Sequence, residues 1–214
     1  MQVLLFLHRL YFFVILNIRN KKTYKMKKII FLFIISSLIS IKGIGLTLSP
    51  ETEVSILTCA PGNELYSLFG HTAIRINDPR HQIDRVYNYG TFDFSTPHFY
   101  LKYARGLLPY QLTVQKFSHF IYNYQLEERT VYAQTIRLDS LEKQRIFDLL
   151  EENLLPQNRY YLYNFLFDNC TTRSRDILLK SLPDSVAWNM PDVNKNFWNL
   201  LDEYLQASPW VQWG

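Results

Sequence analysis

Cysteine is almost missing from this chain, with two residues in 214, Cys59 and Cys170. Two thiols cannot build the disulfide framework of a small stapled domain. Together with five histidines they form no Cys-x-x-Cys, His-x-x-His or His-Glu-x-x-His pair, so no metal centre is expected. Glycine is scarce, at seven residues, and no glycine-rich loop is present to cradle a phosphate; no cofactor is expected. Acidic residues are absent from residues 1–50, which hold eight of the 23 basic ones. Residues 51–214 therefore carry 15 basic against 19 acidic side chains, a net charge of −4. The formal +4 of the whole chain belongs to its N-terminus. An acidic body without a basic stripe excludes a nucleic-acid surface. What remains is a globular composition, 48% hydrophobic and 20% charged, rich in aromatics with 15 Tyr and 15 Phe.

The basic N-terminus reads as an export leader over residues 1–45. From Met26, two lysines precede an apolar run from Ile29 to Ile41, the length of a signal-peptide core and too short to span a bilayer comfortably. Cleavage is expected between Gly43 and Leu46. Residues 1–25 add a second apolar stretch broken by His8-Arg9, readable as half of a membrane hairpin or as sequence ahead of a true start at Met26; the second reading is preferred. An uncleaved leader would contact the inner membrane. The body, residues 46–214, is expected as one exported domain in a compartment that permits disulfides.

Within the body, Val54–Cys59 reads as a strand closed by Pro61-Gly62. "HTAIRIND" and "RVYNYGTFDF" read as a hairpin pair over 71–94, and "LLPYQLTVQ" and "RTVYAQTIRLD" as further strands. "NELYSLFG" is one helical turn or a loop, and around Tyr100 to Ala104 the pattern weakens. Between the later strands "KFSHFIYNYQLEE" is amphipathic and helical. A helix over Ser140–Leu155 is predicted from Asp139 with Glu142, a capping box, and from apolar residues at helical spacing. "NRYYLYNFLF" reads as a strand, "TTRSRDILLKSL" as a helix, and a last helix is expected over about Asp192–Ala207. The fold class is α+β, antiparallel strands followed by helices.

The chemistry concentrates in "YNFLFDNCTTR", residues 163–173. A cysteine on the first turn of a helix faces unpaired N–H groups and the positive end of the dipole, which favour thiolate over thiol. Such a thiolate is a nucleophile, and the same N–H groups are expected to hold the oxyanion of an attacked carbonyl. The base should be a histidine. His81 and His98 sit in turn-like contexts and His119 on an amphipathic stretch. His71 opens a strand directly after Gly70, a position from which a rigid element can aim the ring. Asn88 on the next strand is the candidate to orient it, with Asp93 further along. The competing reading pairs Cys59 with Cys170 in a structural disulfide, in a non-catalytic envelope binding module.

Histidine at a strand start, a polar residue on the following strand and a later cysteine at a helix N-terminus resemble the circularly permuted papain-like fold, the branch that includes lecithin–retinol acyltransferase. "LTCAPGNELYSLFGHTAIRI", "VYNYGTFDF", "FYLKYARGLLPY" and "DNCTTRSRD" are similar to the bacterial envelope family called the Lnb N-terminal periplasmic domain. The resemblance implies a periplasmic location and a thiol-dependent hydrolase or acyltransferase with Cys170 as nucleophile, His71 as base and Asn88 as orienting residue. Its substrate would be an envelope peptide, lipid or lipoprotein. Relatives continue past the "PW" motif, so a C-terminal part beyond Gly214 is expected.

Overall fold

Alternation of apolar and polar side chains makes the centre of this protein a sheet covered on both faces. The computed structural model describes residues 45–182 and 194–205. The chain divides into two units, Met1–Leu46 and Thr47–Gly214, and every described strand and helix lies in the second. Its strands are β1 (Glu53–Cys59), β2 (His71–Asp78), β3 (Ile83–Thr91), β4 (Pro109–Lys116), β5 (Val131–Thr135) and β6 (Tyr160–Leu162). They form one sheet in the order β5-β1-β2-β3-β4-β6, every neighbouring pair antiparallel. The helices are α1 (Phe99–Ala104), α2 (Phe117–Leu126), α3 (Ser140–Leu154), α4 (Cys170–Ser181) and α5 (Phe197–Leu205). The class is α+β, with most helix in the second half.

The period of two sorts the strand residues between two cores. Leu57, Cys59, Ala73 and Val86 pack with Phe120 of α2 on one face. Val54, Ile74, Ile76, Tyr87, Tyr89 and Leu112 pack with Ile146, Phe147 and Leu150 of α3 and Ile177 of α4 on the other. Each buried Val, Leu, Ile and Phe among them contributes about 1.5–3 kcal/mol through removal of apolar area from water. β1 and β2 are paired over their whole length, from Glu53 opposite Asn77 to Cys59 opposite His71.

The capping box at Asp139 and Glu142 and the helix it starts form as the sequence predicts, and so does the hairpin, although its second strand spans Ile83–Thr91 and stops short of residue 94. Three differences have local causes. α1 was hidden from periodicity because it buries no residue, leaving no apolar stripe to recur. The strand expected over "NRYYLYNFLF" is only three residues long. Asn164 ends it by turning its side-chain oxygen onto the N–H groups of Leu166 and Phe167, an Asx turn at 3.1 and 3.0 Å. The last helix starts at Phe197 rather than near Asp192, because Asn196 caps it by accepting from the Asn199 N–H at 2.9 Å. Its expected end past Leu205 lies outside the described residues, as does the leader. Among the described residues no helix is long and apolar enough to cross a membrane.

Candidate active site

His71 is fixed by its backbone. Gly70 before it has φ +74°, and a Cβ there would stand 2.5 Å from the carbonyl oxygen of Cys59. A side chain at position 70 is therefore excluded on two grounds, and β2 can start against β1 with His71 opposite Cys59. Asn88 lies in the middle of β3, only 3% exposed. His71 and Asn88 share the alternation phase of Ala73 and Val86, so both point to the face that α2 covers. His71 Nε2 meets Asn88 Oδ1 at 3.3 Å.

The orientation of that amide decides the tautomer. Asn88 Nδ2 donates to the Val86 carbonyl at 3.4 Å, which leaves Oδ1 facing the ring. An amide oxygen only accepts, so Nε2 carries the hydrogen and Nδ1 of a neutral ring keeps its lone pair. Nδ1 is then the nitrogen free to take a proton.

Cys170 reaches the ring from the other side of the sheet. It is the first residue of α4, capped by Asn169, whose Oδ1 accepts from the N–H groups of Thr171 at 3.0 Å and Thr172 at 2.9 Å. The Asn169 N–H in turn donates to Thr172 Oγ1 at 2.8 Å, closing the box. Two contacts press this helix start onto the strand ends. Thr171 and Thr72 hydroxyls bond at 2.8 Å. β3 bulges between Asn88 and Thr91, and Gly90 at its centre has φ +84° with space for a Cβ only 3.6 Å from that of Cys170. The positive φ at Gly90 lets the strand bulge where it passes beside Cys170.

The two thiols differ in character. For Cys170, burial is the largest influence and acts to raise the pKa. A hydrogen bond with His71, the imidazole charge, the Thr72 backbone and the Thr171 hydroxyl outweigh it and hold the thiol below its ordinary value. Cys59, buried among apolar side chains with its hydrogen bond to Tyr124, is pushed up to about 11 by burial. Both cysteines are free, so the Cys59–Cys170 disulfide considered from the sequence is not formed. Its two sulfurs belong to different packing environments, Cys59 in the α2-side core and Cys170 against the α3- and α4-side core.

These groups open onto a cavity of about 670 Å³ lined by His71, Cys170, Thr171, Phe69, Phe165 and Tyr163 among others. A second, more apolar groove of about 950 Å³ shares Tyr163 and Phe165 with it. Tyr163 is a site residue that pattern reading missed. Its hydroxyl bonds to Cys170, and burial followed by the charge on that sulfur raises its pKa. Its ring stacks on Tyr110 at 4.5 Å. Asp168 and Arg173 flank Cys170 as a two-bond pair, 2.6 and 2.8 Å, with the guanidinium 3.5 Å over the Tyr161 ring. Only the placement of Tyr163 and Asp168 within "YNFLFDNC" hinted at either role.

The expectation that the first-turn N–H groups together hold an oxyanion needs correction. Asn169 already engages those of Thr171 and Thr172, which leaves the Cys170 N–H as the donor from this turn. Asp93 is occupied in its own turn, accepting from Ser95 N–H at 2.8 Å and Ser95 Oγ at 2.7 Å. His81 pairs with buried Asp78 at 2.8 Å, far from the cleft in role and partner. No group of three or more His, Cys, Asp or Glu among the described residues is arranged to hold a metal ion.

A family model described as the Lnb N-terminal periplasmic domain matches residues 46–201. No curated protein and no solved structure matches the chain.

Proposed function

The chain belongs to the Lnb N-terminal periplasmic domain family, and on that premise we propose that it is a thiol-dependent hydrolase or acyltransferase of the cell envelope, built on a circularly permuted papain-like fold. One observation carries the reading: His71 has Asn88 on Nε2 and interacts with the Cys170 thiol, which it helps hold below its ordinary value, while its Nδ1 keeps the lone pair. In this scheme His71 Nδ1 takes the Cys170 proton, and the thiolate attacks the carbonyl carbon of an amide, ester or thioester. The Cys170 N–H and the Tyr163 hydroxyl hold the oxygen that becomes negative. The His71 imidazolium then gives its proton to the leaving amine, alcohol or thiol as the tetrahedral species collapses to a thioester on Cys170. Water or an acceptor amine, deprotonated by His71, attacks that thioester and restores the free thiol.

The experiment is alkylation of the folded protein without reductant, followed across pH and mapped by mass. Cys170 is expected to label first, with a midpoint below the ordinary thiol value of about 8.5, whereas Cys59 stays unlabelled. In His71→Ala the burial of the sulfur is less opposed, so the midpoint moves up and labelling at neutral pH falls about tenfold for each unit of the move. An acyl-directed probe should form a thioester on the native protein and not on His71→Ala. Equal labelling of the two proteins across pH, with no acyl adduct on either, sinks the proposal.

A further inference from the structure

We infer that the segment from Phe94 to Pro109 is a docking face for the surface of an anionic lipid bilayer. Apart from buried Leu108, most of its large apolar side chains are exposed. Phe94 is 62% exposed, Tyr100 80%, Leu101 57% and Leu107 48%, and α1 within it buries nothing. Isolated exposed apolar residues are ordinary; a contiguous set of this size marks an interaction surface. Ring contacts make the set contiguous, Phe94 to Phe99 at 4.9 Å, Phe92 to Phe99 at 5.6 Å and Phe92 to Tyr110 at 5.2 Å. Tyr110 belongs to β4, so the patch is rooted in the sheet and is already shaped for contact.

Charge identifies the occupant. The segment carries Lys102, Arg105 and His98 and no acidic residue, in a body whose net charge is −4. The acid just before it, Asp93, has its carboxylate occupied by Ser95. Aromatic rings and leucines with interspersed cations suit the headgroup level of a bilayer, where rings and aliphatic stems enter the apolar boundary and cations meet anionic headgroups. An acidic domain would otherwise be repelled from such a surface. A local cationic, aromatic face is what lets it approach in one orientation.

The test is hydrogen–deuterium exchange of the full-length chain with vesicles of phosphatidylcholine alone or mixed with phosphatidylglycerol. Amides across residues 94–108 are expected to slow on the mixed vesicles and far less on phosphatidylcholine. Lys102→Gln and Arg105→Gln should each weaken that protection about fivefold in vesicle concentration. Tyr100→Ser with Leu101→Ser, both at exposed positions, should abolish it while exchange in β2 and β3 is unchanged. Because the readout is local, vesicle capture through the apolar run 29–41 does not count as support. Unchanged exchange over 94–108 on anionic vesicles overturns the inference. Protection that rises with protein concentration in the absence of vesicles does so too, by assigning the face to a second copy of the chain.

Discussion

Asn88 shows how an amide side chain can set the tautomer of an imidazole. Its oxygen is turned toward His71 because its nitrogen is committed to the Val86 carbonyl, and Nδ1 is then the ring nitrogen that keeps its lone pair. Replacing Asn88 by Ala should leave the sulfur in place but free the ring to choose either tautomer and to rotate. Alkylation of Cys170 at neutral pH is expected to fall by about tenfold or more, by analogy with the large cost of a misoriented histidine tautomer. Rates matching the parent protein would show that Asn88 serves packing alone. The candidate residues were legible because their types are restrictive, one histidine after a glycine and one cysteine after Asp-Asn. Tyr163 was not, since tyrosine is common throughout this chain and its role depends on which ring stands next to the sulfur.

At the scale of elements, two N-caps of the same kind have different duties. Asp139 caps α3 on an exposed rim, and Asn169 caps α4 beside Cys170, where its Nδ2 also ties the preceding loop by donating to the Phe165 carbonyl at 2.7 Å. Asp139→Ala and Asn169→Ala should each cost about 1 kcal/mol of stability, read as a shift of the urea midpoint. Only Asn169→Ala should also slow Cys170 alkylation, because it lets the first turn fray and carries the sulfur off the imidazole. If both variants label like the parent protein, the cap does not position the thiol. Sequence patterns found the Asp139 cap, as they found α2 and the central hairpin, whereas the cap at Asn169 shows only in the structure. They missed α1, which buries none, and overextended β6, which Asn164 stops by a side-chain contact.

Across the whole molecule, stability rests on two apolar cores and a six-stranded sheet, with no disulfide between the two cysteines. Both thiols are free, so the melting temperature is expected to be the same with and without reductant, checked by paired thermal scans. A drop of several degrees on reduction would reveal a bridge that holds the fold. The two cores also explain why the cysteines differ. Cys59 ends a strand interior to the sheet and is packed in the core with Phe120 of α2 at the wall of the cavity, while Cys170 stands at the start of α4 and is the less buried of the two.

The sequence by itself determined the acidic body, the antiparallel hairpin, the helix capped at Asp139 and the identity of the three candidate residues, because composition, period and capping chemistry act over short distances along the chain. Only the tertiary structure decided that β3 bulges at Gly90 beside Cys170, that the cysteines do not pair, that Tyr163 joins the site and that Phe94, Tyr100 and Leu101 face outward. Each of those depends on which strands become neighbours, and that is set by packing among residues far apart in the chain.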